Sequence, residues 1–117
     1  LLKYGSTSCM FTGDEEKGAE EHTGQDFAGL HADVLKVAHH GSKSSSTNEF
    51  LQLVSPALAV ISVGAHNLYG HPHPDVMARL QSSHCKILRT DQMGGITAVS
   101  DGKVIFVKTV FKTRQSN

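Results

Sequence analysis

The 117-residue sequence predicts a layered α/β domain, and three observations carry that expectation. Short apolar runs of strand length alternate with segments of helical periodicity. One of these runs, Ala57 to Val63 (ALAVISV), is apolar without interruption, as in a strand covered on both faces. Glycine, proline and histidine cluster at the ends of the apolar runs rather than inside them.

Leu1 to Tyr4 and Ser8 to Thr12 read as a hairpin about Gly5-Ser6-Thr7. Asp14-Glu15-Glu16 opens a helix with an acidic first turn, favoured by the positive end of the helix dipole, and this helix frays at Thr23-Gly24. A short apolar helical turn at Phe27 to Leu30 precedes a strand from Asp33 to Ala38 (DVLKVA), which ends on His39-His40-Gly41-Ser42. Lys43 to Ser46 is a polar loop, too short for a domain boundary. Ser46 or Thr47 caps a helix running through Val54, which Pro56 terminates. After the ALAVISV strand comes a loop of glycine, histidine and proline, and Pro74 then starts a helix with Val76, Met77 and Leu80 at helical spacing. Cys85 to Leu88 is a further strand, Arg89 to Gly95 a loop, and Ile96 to Val99 pairs with Val104 to Val107 about Asp101-Gly102. Residues 1–111 form one domain and 112–117 a polar, disordered tail.

Composition narrows the function. Eleven basic and eleven acidic residues cancel, so net charge provides no nucleic-acid footprint. No apolar run is long enough to cross a bilayer, and Leu1 to Gly5 has no signal-peptide pattern, so the chain reads as soluble in character. Cys9 and Cys85 match no metal or redox spacing and read as buried free thiols, which leaves the compartment open. Histidine is the unusual count: five of eight (His39, His40, His66, His71, His73) fall within 35 residues, beside turn formers. Histidines gathered at strand ends are what a metal or acid-base site requires. The ends of neighbouring strands share one rim, so Thr12-Gly13-Asp14, His39-His40-Gly41-Ser42 and Gly70-His71-Pro72-His73-Pro74 are expected to converge. A carboxylate at Asp14 and an imidazole from the second motif suit zinc or another divalent transition metal such as manganese. Singly, each motif also reads as a helix cap, a surface turn or a rigid loop.

Together the motifs YGSTSCMFTGD, DVLKVAHHGSKSSS, ALAVISVGAHNLYGHPHP and ILRTDQMGGI, in that order, closely resemble the C-terminal half of the metallo-β-lactamase-fold hydrolase domain of ComEC-type DNA-uptake competence proteins and related stand-alone hydrolases. The resemblance runs from Leu1 to about Val107. It implies half of an αββα sandwich, with a mixed sheet and flanking helices, and a metal-dependent phosphodiesterase or nuclease acting on DNA or a smaller phosphodiester. By that resemblance Asp14 is the carboxylate bridging two metals. His39 is the preferred metal ligand, two residues before the glycine, with His40 supporting a ligand or facing the substrate; the reverse assignment stays open. His71 becomes a candidate proton donor or phosphate contact. Ser42 and Lys43 either face a phosphate or are solvated, Asp91 either orients a ligand or is a structural loop residue, and His66 and His73 are exposed loop residues.

The family's other metal motif, His-x-His-x-Asp-His, occurs nowhere in the 117 residues. Asp14 and His39 alone would hold zinc weakly, because such sites use at least three protein ligands. The expectation is therefore a chain inactive by itself, its N-terminal half lost in evolution, left out of the 117 residues or supplied by another chain. A half-sandwich also leaves a sheet face to be covered by the N-terminal half, a partner or a second copy. The rival expectation is a non-catalytic module that self-associates near Cys9 to Phe11 and Val60 to Ser62. A stand-alone protein would be cytoplasmic, and a piece of a ComEC-type membrane protein extracytoplasmic.

Overall fold

A computed structural model describes residues 1–13 and 31–111. The helix expected from Asp14, the turn at Phe27 to Leu30 and the tail from Lys112 lie outside the described residues. Five strands form one sheet in chain order: β1 (Leu2–Tyr4), β2 (Thr7–Phe11), β3 (Val34–Lys36), β4 (Leu58–Ile61) and β5 (Lys86–Arg89). β1 and β2 make the expected hairpin, turning at Gly5 and Ser6, while β2 through β5 run parallel. The domain is thus α/β with a mixed sheet.

Parallel neighbours need crossovers, and among the described residues two helices supply those of two pairs: α1 (Asn48–Val54) between β3 and β4, and α2 (Pro74–Ser82) between β4 and β5. Thr47 caps α1, its hydroxyl accepting from the Phe50 amide at 3.3 Å. Phe50, Leu51 and Val54 of α1, with Val76 and Leu80 of α2, pack against Met10, Leu35, Ala59 and Ile61 of the sheet. The apolar positions i, i+1 and i+4 in each helix create that single buried stripe.

The described residues cover the opposite sheet face only in part. A one-turn helix α3 (Thr90–Met93) leads into a separate hairpin of β6 (Ile96–Ser100) and β7 (Ile105–Thr109). Met93, Ile96 and Ile105 cover Val34, Leu58 and Leu88, and the hairpin is tied to the β1–β2 turn by a bond from the Ser6 amide to the Gly102 carbonyl at 2.7 Å. Beyond the hairpin a mostly apolar cleft of about 750 Å³ remains, lined by Leu2, Tyr4, Cys9, Phe11 and Val60 among others. The ALAVISV run was expected to be covered on both sides; Val60 instead faces this cleft half-exposed, while Ala59 and Ile61 are sealed under the helices.

The parallel strands all end at one edge. The residues that follow β2, β3, β4 and β5 there are Thr12-Gly13, Val37 to Gly41, Ser62 to Gly64 and Thr90.

Candidate functional site

Backbone bonds fix the rim before any side chain is considered. The Thr12 hydroxyl donates to the Lys36 carbonyl at 2.9 Å, and the His39 amide donates to the Gly13 carbonyl at 2.8 Å. The end of the TGD strand therefore sits directly against the His39 backbone. Asp14, the next residue, lies outside the described residues.

Past Val37 the chain turns in the left-handed region: His39 at φ 49, ψ 41, His40 at φ 53, ψ 27, and Gly41 at φ 82. Two consecutive non-glycine residues there cost on the order of 1–3 kcal/mol each, so the surroundings must over-determine the turn. They do so through both sequence neighbours and distant elements. The Ser45 hydroxyl reaches the Ala38 and Ser42 carbonyls at 3.2 and 2.9 Å. From α2, Arg79 donates Nε to the Ser46 carbonyl and one terminal nitrogen to the Lys43 and Ser45 carbonyls, all at 2.9 Å. The Gly41 carbonyl accepts from the His73 amide at 2.8 Å, joining the two histidine loops. Ser45 and Ser46 are fully buried, whereas the sequence read this stretch as a polar loop. The remaining loop side chains face outward: Ser42 and Ser44 hydroxyls lie 3.1 Å apart, and the largely exposed Lys43 ammonium lies 3.9 Å from Asp75.

His40 is exposed, with Nδ1 2.6 Å from the Ser62 carbonyl. A carbonyl only accepts, so Nδ1 carries the proton and Nε2 of the neutral ring presents a lone pair. The His71 ring meets His39 edge-on, centroids 5.8 Å apart at 72°, and lies offset-stacked on Tyr69 at 5.8 Å and 29°. Burial first, then the nearby His39, His40 and His73, hold the His71 pKa below its ordinary 6.5, so its ring is neutral at pH 7. The Asn67 amide group closes the loop around it, donating to the Gly64 and His71 carbonyls at 3.0 and 2.8 Å and accepting from the His71 amide at 2.9 Å. His40, His71, Tyr69, Asn67, Ser62 and Thr90 line one cleft of about 280 Å³. The larger apolar cleft adjoins it at Ser62 and Thr90 but offers the chemistry of a packing face, so the candidate site is the smaller one.

The structure thus brings His39, His40 and His71 together, with Ser42 and Lys43 just outside. Asp91 turns both oxygens to Arg89, at 2.9 and 2.5 Å, and its neighbour Thr90 is the residue that reaches the rim, bonded to the Val63 amide and carbonyl at 2.8 and 3.0 Å. His66 is exposed on the loop, and His73 caps α2, its Nδ1 accepting from the Asp75 amide at 3.1 Å. Arg79, Thr90, Asn67 and Tyr69 escaped the sequence reading, although Asn67 and Tyr69 stand four and two residues before His71 and Thr90 stands beside Asp91. Among the described residues no group of three or more His, Cys, Asp or Glu is placed to hold a metal ion. The described donors alone therefore do not fit zinc, which uses three or more protein ligands.

The fold and site define a mixed α/β domain with a histidine-rich rim at the carboxyl ends of its parallel strands. No family model and no solved structure matches the chain. Among characterised proteins it is 46% identical over 95 residues to ComE operon protein 3 of Bacillus subtilis, covering 81% of this chain and 12% of that one. It is 41% identical over 93 residues to competence protein ComA of Neisseria gonorrhoeae, covering 79% and 14%, and 35% identical over 96 residues to recombination protein 2 of Haemophilus influenzae, covering 82% and 12%. The chain is homologous to one segment of each of these competence-related proteins and spans about an eighth of their length.

Proposed function

We propose that this chain is the C-terminal half of a metallo-β-lactamase-like phosphodiesterase domain that serves DNA uptake in a competence protein. One observation carries the reading: the His39 amide is bonded to the Gly13 carbonyl, which joins the strand preceding Asp14 to the histidine turn. Asp14 and His39 are the residues of this chain that would contribute ligands, and the His-x-His-x-Asp-His segment would come from further polypeptide. That polypeptide would also cover the open sheet face at Cys9, Phe11 and Val60. Besides those ligands, the chain's own part is to orient and hold protons. His40, fixed by the Ser62 carbonyl, presents Nε2 to the cleft as a base or ligand. His71, neutral and held by Asn67, presents an imidazole whose N–H can donate a hydrogen bond to a phosphate oxygen.

The fixed Nδ1–H to carbonyl bond at His40 favours a second assignment within this reading. Metal-binding histidines commonly anchor their other ring nitrogen on such an acceptor, so His40 competes with His39 as the ligand.

The test is phosphodiester hydrolysis by the longer protein containing this chain, supplied with zinc or manganese. Variants Asp14→Ala, His39→Ala and His40→Ala are compared with the wild type for bound metal and rate. The expected result is loss of metal in Asp14→Ala and in one histidine variant, and loss of cleavage in all three. A wild-type protein that neither binds metal nor cleaves, or variants that cleave normally, would sink the proposal.

A further inference from the structure

The segment between β4 and α2 carries the two most exposed large apolar side chains described in the molecule, Leu68 at 98% and Tyr69 at 82%. They are adjacent, and Tyr69 lines the histidine cleft rather than the core. The loop presenting them is closed by the three Asn67 bonds, so Tyr69 is held in place on a fixed base. One face of its ring lies toward His71, and the remainder of the ring is open to solvent. The adjoining cleft, at about 280 Å³, is at the small end for ligand pockets, suited to one unit of a longer molecule rather than to a whole one. Among the described residues its other walls offer hydrogen-bonding groups at His40, Asn67, Ser62 and Thr90 but no lysine or arginine. A ligand entering it therefore gains more from ring stacking and hydrogen bonds than from charge.

We infer that Tyr69, backed by His71, is a stacking subsite for one unpaired nucleobase, so that the strand admitted to the histidine cleft is single-stranded DNA. The inference rests on the phosphodiester reading of the same cleft and adds the form of the substrate. Every base has a flat π-face that an exposed aromatic ring can cover, which is how proteins hold single strands without sequence preference. In a duplex those faces are already occupied by neighbouring bases, and a base reaches Tyr69 only after it has been unstacked.

The 117 residues contain no tryptophan, so in the longer protein, with any tryptophan outside them replaced by phenylalanine, Tyr69→Trp introduces a lone fluorophore at the subsite. Its emission is titrated in excess EDTA, where no cleavage occurs, with an oligothymidylate, with the same strand carrying abasic sites throughout, and with a duplex. Saturable quenching is expected from the oligothymidylate, and affinities at least tenfold weaker from the abasic strand and the duplex. In competition with that reporter, the wild type and Tyr69→Phe should displace the strand alike, and Tyr69→Ala roughly ten- to a hundredfold less well. Leu68→Ala serves as the control for loop integrity and should displace like the wild type. Equal binding of the abasic strand, equal binding of the duplex, no saturable quenching, or an undiminished Tyr69→Ala would each overturn the subsite. Because no metal is present, failure of the hydrolase reading leaves this result untouched. Conversely, a longer protein that cleaves while its Tyr69→Ala variant binds single strands normally would refute the subsite alone.

Discussion

Gly41 is where the two histidine loops touch, and replacing it with alanine tests that contact. Two costs add. At φ +82 an alanine occupies the left-handed region, at about 1–2 kcal/mol. Its Cβ would also stand 2.6 Å from Pro72 Cβ and 2.9 Å from Pro72 Cα, atoms of a ring and backbone that cannot swing aside. Overpacking of that kind costs about 1–3 kcal/mol, giving roughly 2–5 kcal/mol in all. The measurement is urea unfolding, read as a change in midpoint at constant slope. Two other glycines separate the terms. Gly70, at φ +68 with no described atom within 4 Å of an added Cβ, should show only the conformational cost. Gly64, with open space and no positive φ, should be neutral or slightly stabilised by alanine. The predicted order of destabilisation is Gly41, then Gly70, then Gly64. A Gly41→Ala protein no less stable than Gly70→Ala would show that Pro72 does not press on the histidine turn.

Three further outcomes follow from local geometry. Arg79→Ala removes a half-buried guanidinium from three carbonyls and should cost about 2–3 kcal/mol after allowance for its exposed bond to Lys43; Arg79→Lys should recover less than half of that, because one ammonium cannot reproduce the fork. Urea midpoints equal to the wild type for either variant would refute the clamp. Asp101 accepts the Lys103 and Val104 amides, both at 2.8 Å, and these bonds hold its pKa below the ordinary 3.8. A carboxyl lowered in the folded state stabilises fully above its unfolded value and loses that contribution as pH falls through its folded one, so the stability gap between wild type and Asp101→Ala should close on acidification below about pH 4. Burial, and then Asp33, push the Cys9 thiol up, so its alkylation at pH 8 should be slower than that of free cysteine; an equal or faster rate would contradict the structure.

What could be read from the sequence was what local pattern controls. The β1–β2 hairpin, the apolar β4 run and α2 opening on Pro74 all follow from periodicity and turn chemistry within a few residues. Boundaries moved where long-range partners decide them. The strand expected over Asp33 to Ala38 is assigned only as Val34–Lys36, because beyond it the chain coils and the His39 amide turns to Gly13. The loop from Arg89 to Gly95 contains α3, four residues being too few to show a helical period. The serine-rich stretch after His40 hides two fully buried residues, since a serine whose hydroxyl finds carbonyls is as buriable as alanine. At the site, strand-end logic located the histidines, but their supports could not be seen: Arg79 acts across more than 30 residues. Asp91 was legible as a conspicuous carboxylate, yet Arg89 two residues away takes both its oxygens.

The consecutive left-handed histidines show what the rim gives up in stability. Glycine fills such positions at less cost. Two strained residues at 1–3 kcal/mol each are a sizeable share of the 5–15 kcal/mol that holds an ordinary domain together. Under the proposed function, the distant ties from Gly13, Ser62, His73 and Arg79 are what would hold that strain in place for chemistry. His40 allows the test, because it is exposed and makes one described hydrogen bond, to the Ser62 carbonyl, which borders an open cleft that water can enter. His40→Gly relieves about 1–2 kcal/mol of left-handed strain and forfeits a hydrogen bond of about 1 kcal/mol, so stability should stay level or rise by up to about 1 kcal/mol. The same substitution should weaken metal retention or cleavage in the longer protein. A His40→Gly chain destabilised by more than about 1 kcal/mol would make the imidazole a structural element of the turn, and the trade of stability for function would have no basis here.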